Sequence, residues 1–171
     1  MNQVNISGNV LATFTAYGDP KAQPRPRAFA KAGKVRMYDP STAEHWKSQI
    51  AFAAQDFIPP APHNGPLLVT LEFLFNRPKA HYKSNGILRD KMPVLHEKKP
   101  DIDNLTKAVL DALTAVGMWD DDKQVAAMSL VKRYVVDAER AGVAVNVASL
   151  GGVGKDSTAT ESEETLSLIH I

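Results

Sequence analysis

The chain has no cysteine among its 171 residues, so a disulfide framework is excluded. It also lacks an apolar run long enough to cross a bilayer, and its start is not the basic-then-apolar pattern of a secretion signal. A cytoplasmic location is therefore expected. No internal repeat is evident. The most informative shortage is local. From Asp19 to Arg36 the only acid is Asp19, against Lys21, Arg25, Arg27, Lys31, Lys34 and Arg36. From 76 to 100 the only acids are Asp90 and Glu97, against seven Lys or Arg. The formal net charge of +1 hides this, because residues 151–171 hold one Lys and four acids, and the rest carries 19 basic and 15 acidic residues, a net of +4. Two acid-poor stretches point to an anionic partner.

What is present is enough for one core-bearing domain, since 44% of the residues are hydrophobic. Leu105, Ala108, Val109, Ala112, Leu113 and Val116 recur at helical spacing, the stripe of an amphipathic helix docked on a core. Asp103 or Asn104 can cap its start, Pro100 favours an extended entry and Gly117 marks its end. An earlier helix is expected from Asp39-Pro40-Ser41-Thr42 through Trp46, Ile50, Ala53, Ala54 and Phe57, ended by Pro59-Pro60. Val10 to Tyr17 and Leu67 to Phe75 read as strands. Gln124 to Val136 and the alternating Val143, Val145 and Val147 read as a final hairpin. The order β-α-β-α-β-β gives an α+β fold, a mixed sheet with two helices on one face. Residues 1–150 form the domain, and 151–171, rich in Gly, Ser, Thr and Glu, are expected to be a disordered tail.

Chemistry is expected where the second helix begins. Asp101 and Asp103 precede or open it, Lys107 stands one turn beyond Asp103, and Asp120-Asp121-Asp122 follows the helix directly. Carboxylate oxygens are the preferred ligands of magnesium, which takes one or two protein carboxylates and leaves its remaining positions to water and substrate phosphate. Phosphodiester hydrolysis needs such an ion to polarise the phosphoryl group and lower the pKa of an attacking water. The competing reading makes Asp101 and Asp103 caps that complement the helix dipole, and the triplet a solvated turn. A cap needs only one carboxylate, however, and Lys98 and Lys99 add positive charge where a phosphate would approach. An EF-hand is excluded, because Leu105 stands where an oxygen ligand is required and no Gly follows it.

The basic stretches fit the same substrate. Pro20, Pro24 and Pro26 keep the first extended and hold Arg25 and Arg27 outward. The second, 76–100, shows neither helical nor strand periodicity and reads as an unstructured flap that orders on DNA, with His81 and His96 as phosphate or positioning contacts.

At these residues a family resemblance emerges. Lys99-Pro100-Asp101-Ile102-Asp103-Asn104-Leu105, with Lys107, Asp111-Ala112-Leu113, Trp119 and Asp121-Asp122-x-Gln124, closely resembles the RusA family of crossover junction endodeoxyribonucleases, the phage-derived Holliday junction resolvases. Upstream, Gly18-Asp-Pro-Lys21, Pro24-Arg25-Pro26-Arg27 and Arg77-Pro78-Lys79 with His81 and His96 extend it over most of 12–148. The resemblance implies a magnesium-dependent endonuclease, with manganese as a substitute ion, acting on four-way junction DNA in recombination and repair as a homodimer. It implies Asp101, Asp103 and Asp122 as metal ligands and Lys107 as an essential catalytic residue. Lys21, Arg25, Arg27, Arg77, Lys79, His81, His96, Lys98 and Lys99 are the expected DNA contacts. Asp120 departs from the family pattern, which leaves the register of the triplet open. Counting from Trp119 and Gln124 favours Asp122, and extended geometry would turn Asp120 and Asp122 one way and Asp121 the other. A non-catalytic DNA-binding protein and a nuclease for flap, fork or duplex DNA are the alternatives.

Overall fold

The computed structural model describes residues 8–24, 27–31, 34–38 and 43–151, with only the backbone of the two segments between 27 and 38. Among the described residues, eight strands and α-helices follow in order: β1 (Gly8–Tyr17), β2 (Arg27–Lys31), β3 (Lys34–Tyr38), α1 (Glu44–Ala54), β4 (Leu67–Phe75), α2 (Ile102–Ala115), β5 (Val125–Tyr134) and β6 (Gly142–Leu150). Four strands form one mixed sheet in the order β1-β6-β4-β5. The pairs β1/β6 and β6/β4 are antiparallel, and β4/β5 is parallel.

Alternation explains how the sheet meets the helices. Ala12, Phe14 and Ala16 of β1, Leu67, Val69, Leu71 and Phe73 of β4, and Val143, Val145 and Val147 of β6 turn to one side. There they share a core with Trp46, Ile50 and Ala54 of α1 and Leu105, Ala108, Val109, Ala112 and Leu113 of α2. Both helices thus cover the same face, and the α+β architecture expected from the sequence is the one adopted. Fully burying each large apolar side chain stabilises by ~1.5–3 kcal/mol, so the α2 stripe fixes which side of that helix faces outward.

Three expectations change. First, the acid-poor stretch after Asp19 is not extended throughout, because Arg27–Lys31 and Lys34–Tyr38 pair as an antiparallel hairpin. Second, β5 and β6 do not form a hairpin. A parallel strand can be reached only by a crossover, and the 76–100 loop with α2 supplies it between β4 and β5, while β6 inserts between β1 and β4. Gly142 begins β6 because a Cβ there would collide with the carbonyl of Ala16 on β1. Third, the 76–100 loop is folded rather than structureless. Arg77 donates from Nε to the Val135 carbonyl (3.0 Å) and from Nη1 to the Pro93 carbonyl (2.9 Å). Leu95 bridges Arg133 on the outer side of β5, with Tyr134 N–H to Val94 O (2.9 Å) and His96 N–H to Lys132 O (3.0 Å). The His96 ring stacks on Phe75 with centroids 4.1 Å apart.

The helix start expected at Asp39–Thr42 and the expected tail from 152 onward lie outside the described residues.

Candidate active site and nucleic-acid interface

The outward side of α2 carries the charged residues. Asp101 is the N-cap, with extended backbone (φ −72°, ψ 142°) and its carbonyl accepting from Leu105 N–H at 3.1 Å. Asp103 and Asn104, the residues expected to cap, lie inside the first turn instead. The Asp101 side chain makes no capping hydrogen bond although it occupies the capping position. An exposed carboxylate at a helix start that does not serve the backbone is available to another partner. Asp103, also exposed, stands two residues on, where the helix dipole favours negative charge.

Lys107 lies one turn beyond Asp103, and its Nζ meets Asp111 Oδ1 at 3.1 Å, an i,i+4 pair. With 59% of the Lys107 side chain exposed, such a pair contributes only ~0.3–0.5 kcal/mol. The ammonium can exchange it for a phosphate at little cost. Asp103, Lys107 and Asp111 thus form a charged stripe along one helix face.

The far end of α2 is closed by Gly117 (φ 78°), with Gly117 N–H to Thr114 O (3.0 Å) and Met118 N–H to Leu113 O (3.1 Å). These two bonds are the Schellman pattern, and buried Met118 packs back as it requires. Buried Trp119 then donates from its indole N–H to Thr114 Oγ1 at 2.7 Å. The acidic triplet emerges from this closure. It does not run on as extended strand, because Asp122–Gln124 forms a 3₁₀ turn. Asp121 caps that turn, its Oδ1 accepting from Lys123 N–H at 2.9 Å while Gln124 Oε1 accepts from Asp121 N–H at 3.1 Å, a reciprocal capping box. The Lys123 amide holds the Asp121 carboxyl below its ordinary pKa. The alternation argument for Asp122 therefore fails, but the turn separates the residues in another way: Asp121 is committed to the backbone, and Asp122 is exposed.

Gln124, in sequence only a motif position, ties the triplet to the rest of the fold. Its Nε2 donates to the carbonyls of His63 (2.8 Å) and Gly65 (3.1 Å), and its Oε1 accepts from the Asp120 (3.0 Å) and Asp121 amides. The proline-rich connector between α1 and β4 thereby becomes the support of the triplet.

The structure does not gather the three expected metal ligands. Asp120, Asp121 and Asp122 line an open cavity of about 520 Å³ with Lys47, Asp111 and Thr114. That cavity sits against the second half of α2, whereas Asp101 and Asp103 stand at its start, eight to ten residues from Asp111 and so ~12–15 Å along the axis. Among the described residues, no three His, Cys, Asp or Glu side chains are close enough to hold a metal ion. Asp101 and Asp103 offer only oxygen donors, as a hard divalent cation requires, and two carboxylates match the number magnesium takes from protein. They fit such an ion as a pair.

The expected DNA contacts divide. Lys21, Lys79, Lys98 and Lys99 are exposed. Arg25 and the side chain of Arg27 lie outside the described residues, but the chain leading to them is placed by a hydrogen bond from Gln23 N–H to the Asn104 carbonyl (2.9 Å). That bond brings the first basic stretch against the start of α2. Arg77 and His96 make contacts within the fold. The Arg77 guanidinium anchors the loop and lies over the Tyr134 ring at 5.2 Å. His96 is buried at 9% exposure between Phe75 and Tyr134, and burial, assisted by the Lys132 charge, lowers its pKa. His81 is half-buried, edge-on to Tyr134 at 5.0 Å and beside Arg77.

Comparison with known proteins decides the family. The chain matches the description Endodeoxyribonuclease RusA over residues 17–148. It is a member of the RusA endodeoxyribonuclease family. This RusA-family chain is also 34% identical over 123 residues to the uncharacterized protein YqaN of Bacillus subtilis (strain 168), covering 71% of its own length and 86% of that protein. The family is one of DNA-cleaving hydrolases, the Holliday junction endonucleases, and its nucleases are generally divalent-metal dependent. Among the described residues, no helix is long and apolar enough to cross a membrane.

Proposed function

We propose that this protein is a magnesium-dependent junction-resolving endonuclease, acting in DNA recombination and repair in the cytoplasm, and that residues 1–150 form its catalytic domain. The observation that carries the reading is Asp101, an exposed carboxylate at the N-cap of α2 that makes no capping bond, within a family match spanning 17–148. In this reading Asp101 and Asp103 hold the ion, and Asp122, which the structure leaves apart from that pair in the cavity against the second half of α2, is taken as the remaining carboxylate on its motif position rather than on proximity. When bound, magnesium would polarise the phosphoryl group and supply a water of lowered pKa; manganese is an acceptable substitute.

The rest of the chemistry falls to the chain. Lys107, midway along the charged stripe and weakly held by Asp111, takes up charge that develops on the phosphate. Lys21, Arg25, Arg27, Lys79, Lys98 and Lys99 bind the backbone of a four-way junction by neutralising phosphates, and half-buried His81 positions the loop beneath them. A twofold homodimer suits that substrate, because two symmetry-related sites can nick two strands of like polarity.

The test is cleavage of a labelled synthetic junction beside matched duplex and flap substrates, with and without magnesium. Magnesium-dependent cutting confined to the junction is the expected result. Equal cutting of duplex or flap would replace the substrate assignment, and no cutting of any of them would leave a DNA-binding protein.

A further inference from the structure

Lys132 has no place in the resemblance and none in the reading above. It lies on β5 opposite Phe73 of β4, and its own carbonyl accepts from His96 N–H. Its side chain crosses to the segment that enters α2. There Nζ donates to two backbone carbonyls, Lys98 O and Pro100 O, each at 2.7 Å. A lysine ammonium is a compact, strongly hydrated charge that usually ends in water or on a carboxylate. Here it is half-buried and closes a clamp on the chain immediately before Asp101.

The position of that clamp matters more than its strength. Residues 97–101 belong to neither helix nor strand; the Asp101 carbonyl takes a bond from Leu105 N–H of α2, but no ladder fixes the chain that leads into it. The two carbonyls taken by Lys132 flank Lys99 and end one residue before Asp101. Charge-assisted bonds of this kind are about twice as strong as neutral ones, and together they tie the helix entry to the sheet. A metal-ligating carboxylate must be held within ~0.5 Å of its working position, and an exposed side chain on an unladdered peptide cannot achieve this alone.

We infer that Lys132 is a positioning residue for Asp101, acting from β5 through the carbonyls of Lys98 and Pro100. The inference rests on the proposed role of Asp101. It assigns Lys132 no contact with substrate.

The experiment compares Lys132→Met, Lys132→Gln and Lys132→Arg with wild type and with Asp101→Asn. Three quantities are measured: Mn²⁺ affinity by calorimetry without DNA, amide hydrogen exchange at Leu105, and the magnesium dependence of junction cleavage. Supporting partners of metal ligands typically contribute about 10- to 100-fold in metal affinity or activity. Lys132→Met should therefore weaken Mn²⁺ binding about 10- to 100-fold and shift half-maximal cleavage to correspondingly higher magnesium. Exchange at Leu105, whose N–H bonds the Asp101 carbonyl, should accelerate, while exchange in β6 stays as in wild type. Lys132→Arg, which keeps donors for both carbonyls, should recover most of the loss. Lys132→Gln is too short to span them and should behave like Met, so it carries the test if the Met variant does not fold. Wild-type Mn²⁺ affinity and Leu105 exchange in Lys132→Met or Lys132→Gln, beside an inactive Asp101→Asn, would overturn the inference alone. Weakened junction binding with unchanged Mn²⁺ affinity would also overturn it, by making Lys132 a phosphate contact. A fully active Asp101→Asn would instead remove the reading on which it rests.

Discussion

Replacing Gln124 by Ala removes four hydrogen bonds at once, to the His63 and Gly65 carbonyls and from the Asp120 and Asp121 amides. The Asp120 amide is exposed, so water can replace that partner, but the other three bonds are part-buried. At a net ~1 kcal/mol each, those three give a loss of about 3 kcal/mol. For a chain of this length 1 kcal/mol moves Tm by ~2–4 °C, so a fall of roughly 6–12 °C is expected by calorimetry. Glu at the same position sharpens the test. Its carboxylate still accepts from Asp120 and Asp121, yet it cannot donate to His63 and Gly65 and repels both carbonyls. Gln124→Glu should therefore lose stability while the Asp121 amide stays protected from exchange, whereas Gln124→Ala should lose both. If Gln124→Ala melts within about 1 °C of wild type, less than half a kcal/mol on this scale, the idea that this side chain fastens the triplet to the connector is wrong.

Within the triplet, Asp122→Asn should abolish most cleavage with an unchanged Tm. Asp121→Ala should instead lower stability by ~0.5–2 kcal/mol through loss of its cap, and Asp120→Asn should resemble wild type; a severe Asp120 defect beside an active Asp122 variant would shift the register. The lowered pKa of His96 means that folding disfavours its protonation, so its contribution is complete above the ordinary value of 6.5 and declines as pH falls below it. Chemical denaturation across that range should show this acid-side loss in wild type and a shallower one in His96→Phe, and parallel slopes would contradict it. Junction affinity should fall with salt by roughly −0.9 in log K per log salt for each phosphate neutralised, and Arg25→Ala with Arg27→Ala should flatten the slope if these residues touch DNA.

What was legible in the sequence was whatever local periodicity decides. The α2 stripe, its Gly117 stop and the alternation in β1, β4 and β6 were each written within a few residues, and they give the architecture. The basic stretches and the Asp101-Asp103 pair stand out in the sequence because their chemistry is local too. What was not legible turns on distant partners. Arg77 looks like any loop arginine until the Val135 and Pro93 carbonyls are brought to it, and His96 until Phe75 and Tyr134 enclose it. Chain proximity suggests a β5–β6 hairpin, but the fold pairs β6 with β1 and β4. In the triplet, strand alternation competed with an Asp-x-x-Gln capping box; the box prevailed because Gln124 also had two carbonyls to satisfy across the connector. Lys132 left no signal, since its acceptors are backbone carbonyls.

The central claim is that the carboxylates at the start of α2 perform cleavage while the basic segments perform binding. Its most direct measurement is paired: junction cleavage at saturating magnesium and junction affinity without metal, for Asp101→Asn and Asp103→Asn. Removing either charge should abolish cutting and leave affinity equal to wild type or tighter, because repulsion between carboxylate and phosphate is relieved. Cutting at near wild-type rate by either variant would contradict the claim.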